Sequence, residues 1–266
     1  MADTVLRVDH VAVHFGGLVA IADMNFHVAE GEIVSLIGPN GAGKTTAFNV
    51  MTGFLAPTKG AVTFRGTDLS GRKPHAIADL GLIRTFQRTS VFPNDTVYDN
   101  VLMGLHRQGK VGLAAAILGL PRARALEKAQ RARAAELVQW IGLEARANDL
   151  AGSLSYGEQR LVGVALALAA QPTMLLLDEP VSGMNASETH TFVQLIRSLR
   201  DRGVTILLVE HDMPMVMSVS DRIVVLNYGR IIAEGPPDEI RNNPAVIEAY
   251  LGQGAKDVIR EVASHA

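Results

Sequence analysis

Over the first sixty or so residues apolar and polar positions alternate. Leu6-Arg7-Val8-Asp9-His10-Val11 shows the pattern, and Ala61-Val62-Thr63-Phe64-Arg65-Gly66 repeats it after a Pro57-Thr58-Lys59-Gly60 turn. A period of two puts successive side chains on opposite faces of a strand, so this portion predicts antiparallel strands. Other apolar runs do not alternate: Ile33 to Ile37, Met174 to Leu177, Thr205 to Val209 and Arg222 to Leu226. The later three are bracketed by helical patterns. Strands of this kind are buried on both faces, which predicts a parallel sheet in an α/β core. From about 90 to 165 the text turns rich in alanine and arginine. Its clearest segment runs from Pro121 through Trp140, with Leu126, Leu137, Trp140 and Ile141 on a helical period. We read it as a helical subdomain inserted into the α/β core, and its arginines as a solvated helix face. A single domain over residues 1–252, followed by a peripheral tail at 253–266, accounts for the whole chain.

The run Ile33 to Ile37 leads directly into Gly38-Pro39-Asn40-Gly41-Ala42-Gly43-Lys44-Thr45-Thr46. A strand, a glycine-rich loop and a helix in that order form a phosphate cradle. The glycines let consecutive N–H groups turn inward, and the helix starting near Lys44 aims its positive end at the same point. Lys44 would contact the β- and γ-phosphates of a nucleoside triphosphate, and the Thr45 hydroxyl would hold Mg²⁺.

Composition narrows what the triphosphate serves. With 48% hydrophobic and 20% charged residues the chain is an ordinary globular protein, and its net charge of −2 gives no basic surplus for binding nucleic acid. It has no cysteine, which excludes disulfides, thiolate metal sites and thiol catalysis. The N-terminus lacks the basic and apolar regions of a secretory signal. Neither Leu161 to Ala170 nor Val111 to Leu120 approaches the roughly 20 residues needed to cross a bilayer.

A second constellation is Met174-Leu175-Leu176-Leu177-Asp178-Glu179-Pro180, an apolar strand with two carboxylates at its C-terminal end. Ligands sit at that end of strands in open α/β sheets. Asp178 would hold Mg²⁺ through water, and Glu179 would polarise the water that attacks the γ-phosphate. The cradle, metal holder and water activator together predict hydrolysis.

Leu154-Ser155-Tyr156-Gly157-Glu158-Gln159 precedes the helical text Leu161 to Ala169. It resembles the signature of ATP-binding cassette (ABC) proteins, usually Leu-Ser-Gly-Gly-Gln, and the order of glycine loop, signature and acidic strand is that family's order. The resemblance covers nearly the whole chain. It implies a P-loop NTPase core with an N-terminal antiparallel β subdomain and an inserted α-helical subdomain. It also implies a head-to-tail dimer in which Ser155 and Gly157 of one cassette reach the γ-phosphate held by the partner's glycine loop. By the same resemblance Gln87 matches the glutamine that contacts metal and attacking water and couples the site to a membrane subunit. His211 matches the switch histidine that hydrogen-bonds the γ-phosphate, and Phe15 the aromatic that stacks on adenine. Phenylalanine stands where tyrosine is usual, and stacking needs only the π face. Three positions depart from the pattern: Tyr156 replaces a glycine, Glu158 a glutamine, and Asn185 the usual aspartate of Val181-Ser182-Gly183-Met184-Asn185.

Further stretches resemble the ATP-binding subunit of bacterial branched-chain amino-acid importers. They are Phe15-Gly16-Gly17-Leu18-Val19-Ala20, Arg84-Thr85-Phe86-Gln87, Ser182-Gly183-Met184-Asn185, and the block from Ile240 to Gly252. That likeness implies a second, non-identical cassette, two permease subunits, an external binding protein, and a place on the cytoplasmic face of the bacterial inner membrane. The alternatives are another transport system of the family, for urea or lipopolysaccharide, or a soluble ATPase without transport. The absence of cysteine weighs against an iron–sulfur assembly component, and the C-terminal block against an exporter.

Overall fold

The structure, a computed structural model, describes residues 3–85, 91–105 and 121–250. Strands β1 (Thr4–Phe15) and β2 (Leu18–Ala29) form a long hairpin that leads into β3 (Ile33–Ile37), helix α1 (Lys44–Met51), β4 (Lys59–Phe64) and β5 (Thr67–Asp68). After α2 (Pro74–Asp79) and β6 (Leu82–Arg84), the described chain runs through α3 (Val97–Leu105), α4 (Pro121–Trp140) and α5 (Tyr156–Ala169). It then returns to the sheet as β7 (Met174–Asp178), α6 (Ala186–Asp201), β8 (Thr205–Val209), α7 (Met213–Val219), β9 (Arg222–Asn227), β10 (Arg230–Gly235) and α8 (Pro237–Arg241). Residues 244–250 are helical.

Among the described residues all ten strands join one sheet in the order β5-β4-β1-β2-β10-β9-β3-β8-β7-β6. The β1, β2, β4 and β5 end is antiparallel. From β9 through β3, β8 and β7 to β6 every pairing is parallel. The hairpin of β9 and β10 stitches the halves together, with Arg230 of β10 opposite Asp23 of β2. The sequence pattern did not predict β10, because Arg-Ile-Ile-Ala-Glu-Gly carries no clean alternation.

Why the central strands read as unbroken apolar runs is visible in the packing. All five residues of β3, β7 and β8 are buried. Ile33, Ile37, Leu175, Leu177, Ile206, Leu208, Ile223 and Val225 face one core, with α3, α5, α6 and α7. Val34, Leu36, Met174, Leu176, Leu207, Val209, Val224 and Leu226 face a second, with α1 and the antiparallel strands. The two-residue period persists, but both faces are now dry. In α4, Leu137 is buried while Arg124 and Arg131 are exposed. Trp140 donates to Ser198 Oγ at 3.1 Å and lies 3.9 Å beneath the Arg202 guanidinium, fastening α4 to α6.

Arg222, at the start of β9, ties that strand to the segment before β3 and to β10. It contacts Glu32 through two nitrogens at 2.7 and 2.8 Å, and it also pairs with Glu234 of β10. Burial would raise the Glu32 pKa, yet hydrogen bonds from Arg222 and the Ala29 N–H together bring it below its ordinary 4.5. A depressed carboxylate stabilises the fold fully above its unfolded value, and the contribution fades as pH falls through the folded one. Glu32→Gln is therefore expected to flatten the fall of Tm with pH below about 4.5, with the difference from the parent greatest near neutrality, measured by thermal unfolding across pH.

Candidate functional site

The glycine loop leaves the C-terminal end of β3, between β9 and β8, and is held against neighbouring backbone on several sides. A Cβ at Gly38 would overlap the carbonyl oxygen of Leu226 in β9, and one at Gly43 would lie 2.7 Å from the Ala20 carbonyl oxygen in β2. Gly38, Gly41 and Gly43 have φ of 151°, 79° and 109°, conformations that side chains resist. Gly229 of the β9–β10 turn donates its N–H to Ala42 O at 2.9 Å. Gly38 and Pro39 are buried while Asn40 and Gly41 face solvent. The loop then enters α1, whose cap is Gly43 and whose first turn contains no acid. A helix N-terminus beside inward-turning amides suits an anion.

Lys44 folds back on its own loop, donating to Gly38 O at 2.6 Å and Pro39 O at 3.0 Å. Burial lowers its pKa, while the charges of Glu179 and Asp178 act to raise it. The structure thus brings the lysine of the loop and the two acids at the end of β7 into one electrostatic group, with β8 between their strands. Thr45 is exposed at the start of α1, and Thr46 is half-buried.

Asp178 is buried and accepts from Arg84 Nη2 at 2.6 Å, while Arg84 Nη1 donates to Asn49 Oδ1 of α1 at 2.7 Å. This arginine links β6, α1 and β7, and its place near Gln87 is its one mark in the sequence. Gln87 itself lies outside the described residues. Glu179 adopts φ of 45°, a left-handed conformation that costs a non-glycine residue on the order of 1 kcal/mol, and its N–H donates to Val209 O at 2.9 Å. Strain of this kind is expected where a side chain must be aimed.

Phe15 ends β1 at the tip of the first hairpin, paired with Leu18, and its ring is 49% exposed, so a flat ligand has a face to stack on. His211 is 63% exposed at the side chain, while its backbone is fixed. Its N–H donates at 2.9 Å to Oε2 of Glu210, whose Oε1 accepts the Val181 N–H at 2.9 Å. Glu210 is fully buried and also takes the Asp212 N–H at 3.4 Å. It joins the segment after Glu179 to the segment carrying His211. Sequence reading passed over it, and adjacency to a histidine was the only available sign.

Ser155 and Gly157 stand elsewhere. Ser155 caps α5, accepting the Glu158 N–H at 3.2 Å while Glu158 accepts the Ser155 N–H at 2.8 Å. Among the described residues the other hydrogen bond of its hydroxyl runs to Glu188 of α6, and Gly157 also lies against Glu188. The departures from the usual signature thus have local causes. Glu158 completes the capping box and pairs with Arg146 at 2.9 Å. Tyr156 packs beside Gly183 and accepts from Arg160. Asn185 caps α6 in a second capping box, reciprocated by Glu188.

Residues 21–182 match the family described as ABC transporter. The chain belongs to that family. It is an ATP-binding cassette, and its activity is ATP hydrolysis. Residues 230–256 also match the family described as branched-chain amino acid ATP-binding cassette transporter. The cassette is 46% identical over 254 residues to the Escherichia coli K12 high-affinity branched-chain amino acid transport ATP-binding protein LivG, covering 95% of this chain and all of that one. It is 43% identical to BraF, the corresponding protein of Pseudomonas aeruginosa, over the same share of each chain. Among solved structures, a nucleotide-free cassette from an ABC transporter superposes with a TM-score of 0.80 at 31% identity, over 93% of this chain and 99% of that one. The ADP conformation of another cassette gives 0.81 at 30%, over 94% and 100%.

The matched C-terminal block touches the nucleotide loop. Tyr250, in the helix at 244–250, has its hydroxyl at the backbone of Gly38, and burial pushes its pKa up to about 12. The sequence marked this block as distinctive without suggesting that contact. No three His, Asp or Glu residues form a metal cage among the described residues. Asp178 at the end of β7 and Thr45 at the start of α1 offer the one or two oxygen donors that a divalent cation carried on phosphates takes from a protein.

Two outcomes are expected. Gly38→Ala should forfeit nucleotide binding and cost about 2–3 kcal/mol of stability through overlap with Leu226, measured by calorimetric titration and urea unfolding. Glu210→Ala leaves buried N–H donors without their acceptor and should cost on the order of 3 kcal/mol, read by urea unfolding, with a fall in ATP turnover larger than any change in ATP affinity.

Proposed function

We propose that this cassette is the ATP-hydrolysing subunit of a bacterial importer for branched-chain or related hydrophobic amino acids. The observation that carries the chemical part is the strand register, which sets the end of β3, leading into the glycine loop and Lys44, level with the end of β7 that carries Asp178 and Glu179, with β8 between them. Support for the transported solute comes from the match over residues 230–256 and from the printed names of LivG and BraF.

In this reading Phe15 stacks on adenine, the N–H groups of residues 38–46, Pro39 having none, surround the phosphates, and Lys44 leaves the Gly38 and Pro39 carbonyls for the β- and γ-phosphates. Glu179 accepts a proton from the attacking water, and the exposed ring of His211 hydrogen-bonds the γ-phosphate while Glu210 keeps its backbone in place. Gln87 completes the set around metal and water. Mg²⁺, held by Thr45 and Asp178 with Gln87 nearby, would supply charge neutralisation of the phosphates.

Ser155 and Gly157 lie against Glu188 of α6 in their own chain and, in this reading, serve the partner's nucleotide. Two ATP molecules then close a head-to-tail pair with a second, non-identical cassette, and hydrolysis removes the contacts that hold it closed. The part of the chain that carries α3, α4 and α5 moves with closure and passes it to two permease subunits at the cytoplasmic face of the inner membrane, supplied by an external binding protein. No helix among the described residues is long and apolar enough to cross the membrane.

In the assembled transporter, Glu179→Gln is expected to bind ATP and stay closed while turnover falls by about 10²-fold or more. Lys44→Ala should weaken ATP binding itself. Ordinary turnover by the Glu179→Gln protein would remove the base from this scheme. Proteoliposomes assembled with the companion subunits should accumulate labelled leucine, isoleucine or valine only with ATP, and failure with all three would move the substrate outside the hydrophobic class.

A further inference from the structure

The signature serine is already engaged inside its own chain. Ser155 Oγ donates to Glu188 Oε1 at 3.0 Å, and the other oxygen of the same carboxylate accepts the Asn185 N–H at 3.0 Å. The carboxylate lies over the first turn of α5. A Cβ added at Gly157 would come within 2.6 Å of Glu188 Cδ and 2.7 Å of Oε1. A side chain at Gly157 would therefore displace the Glu188 carboxylate.

A hydroxyl has one proton to donate. Ser155 Oγ also accepts the Glu158 N–H at 3.2 Å, so its donor capacity is committed to Glu188. A phosphate arriving at the N-terminus of α5 needs that same proton and carries the same sign of charge as the carboxylate it meets. Two anions brought to one donor repel, and water is excluded as the cassettes close, which strengthens the repulsion.

Resting on the split-site reading above, we propose that Glu188 is a placeholder for the γ-phosphate held by the partner. Its carboxylate occupies the signature serine in the separated cassette, and closure requires Ser155 to exchange carboxylate for phosphate. Glu188 is a positioning residue that sets the ATP concentration at which the pair closes. It retains a second anchor at Asn185, so releasing Ser155 leaves the start of α6 capped. The signature and the segment after Glu179 are coupled through this one side chain, with Tyr156 against Gly183 as a further contact.

The experiment is an ATP titration of closure in the assembled transporter, with a fluorophore pair on introduced cysteines reporting the distance between cassettes and Glu179→Gln in the parent to prevent turnover. Glutamine serves at the third position of a capping box as glutamate does, so Glu188→Gln keeps the cap and removes the charge. The expected result is a midpoint several-fold lower in ATP, with Tm unchanged and the effect diminished when Ser155→Ala is added. Glu188→Asp, which keeps the charge on a shorter arm, should lie nearer the parent. Closure in the parent with an unshifted or raised midpoint in Glu188→Gln overturns the placeholder alone. Absence of any ATP-dependent closure in the parent overturns the closure reading and the placeholder with it.

Discussion

The close approach of the glycine loop to neighbouring backbone is the constraint on which the rest of the molecule depends. Gly38 sits where any side chain would meet the Leu226 carbonyl, and Gly43 sits on that of Ala20. Those carbonyls belong to β9, which pairs directly with β3, and to β2, which joins that half of the sheet through β10. The loop is therefore shaped by the whole sheet order, and the first hairpin that carries Phe15 is registered to it through Ala20. Tyr250 adds a contact from the far end of the chain. A loop so enclosed presents its amides to an anion without having to be reorganised, which is the condition for strong electrostatic stabilisation.

A common pattern runs through the site: hydrogen bonds hold the main chain at the residues that present the reactive side chains. Glu179 has a strained backbone tied to Val209, and His211 a backbone tied to Glu210 beneath an exposed ring. Asp178 is itself buried and clamped by Arg84. A buried, clamped carboxylate suits the metal-holding role proposed for Asp178, and an exposed ring suits the γ-phosphate contact proposed for His211.

The motifs that carry chemistry were legible in the sequence because each is local. A strand followed by Gly-Pro-Asn-Gly-Ala-Gly-Lys-Thr-Thr, or a strand ending in Asp178-Glu179, is a contiguous stretch whose shape follows from its own residues. The central strands were legible for the same reason, as short apolar runs. What escaped was made by distant pairs: Arg84 with Asp178, Glu210 with Val181, Glu188 with Ser155, and Tyr250 with Gly38. No periodicity announces such pairs, and the residues are of types that ordinarily face solvent. The departures at Tyr156, Glu158 and Asn185 could be seen in the sequence but not explained. Two capping boxes and one aromatic contact supply their reasons.

The account turns on the claim that Ser155 serves a nucleotide held by another chain. Because the chain contains no cysteine, a single introduced one is unambiguous. The decisive measurement is disulfide formation from Ser155→Cys to a cysteine placed in the glycine loop of the second cassette, compared with Ser155→Cys paired with Gly41→Cys in this chain alone. The bond requires the two Cβ atoms to come within about 4.5 Å. The account predicts an ATP-dependent link between subunits and none within the chain. An intrachain link, or no link between subunits at saturating ATP, would contradict it.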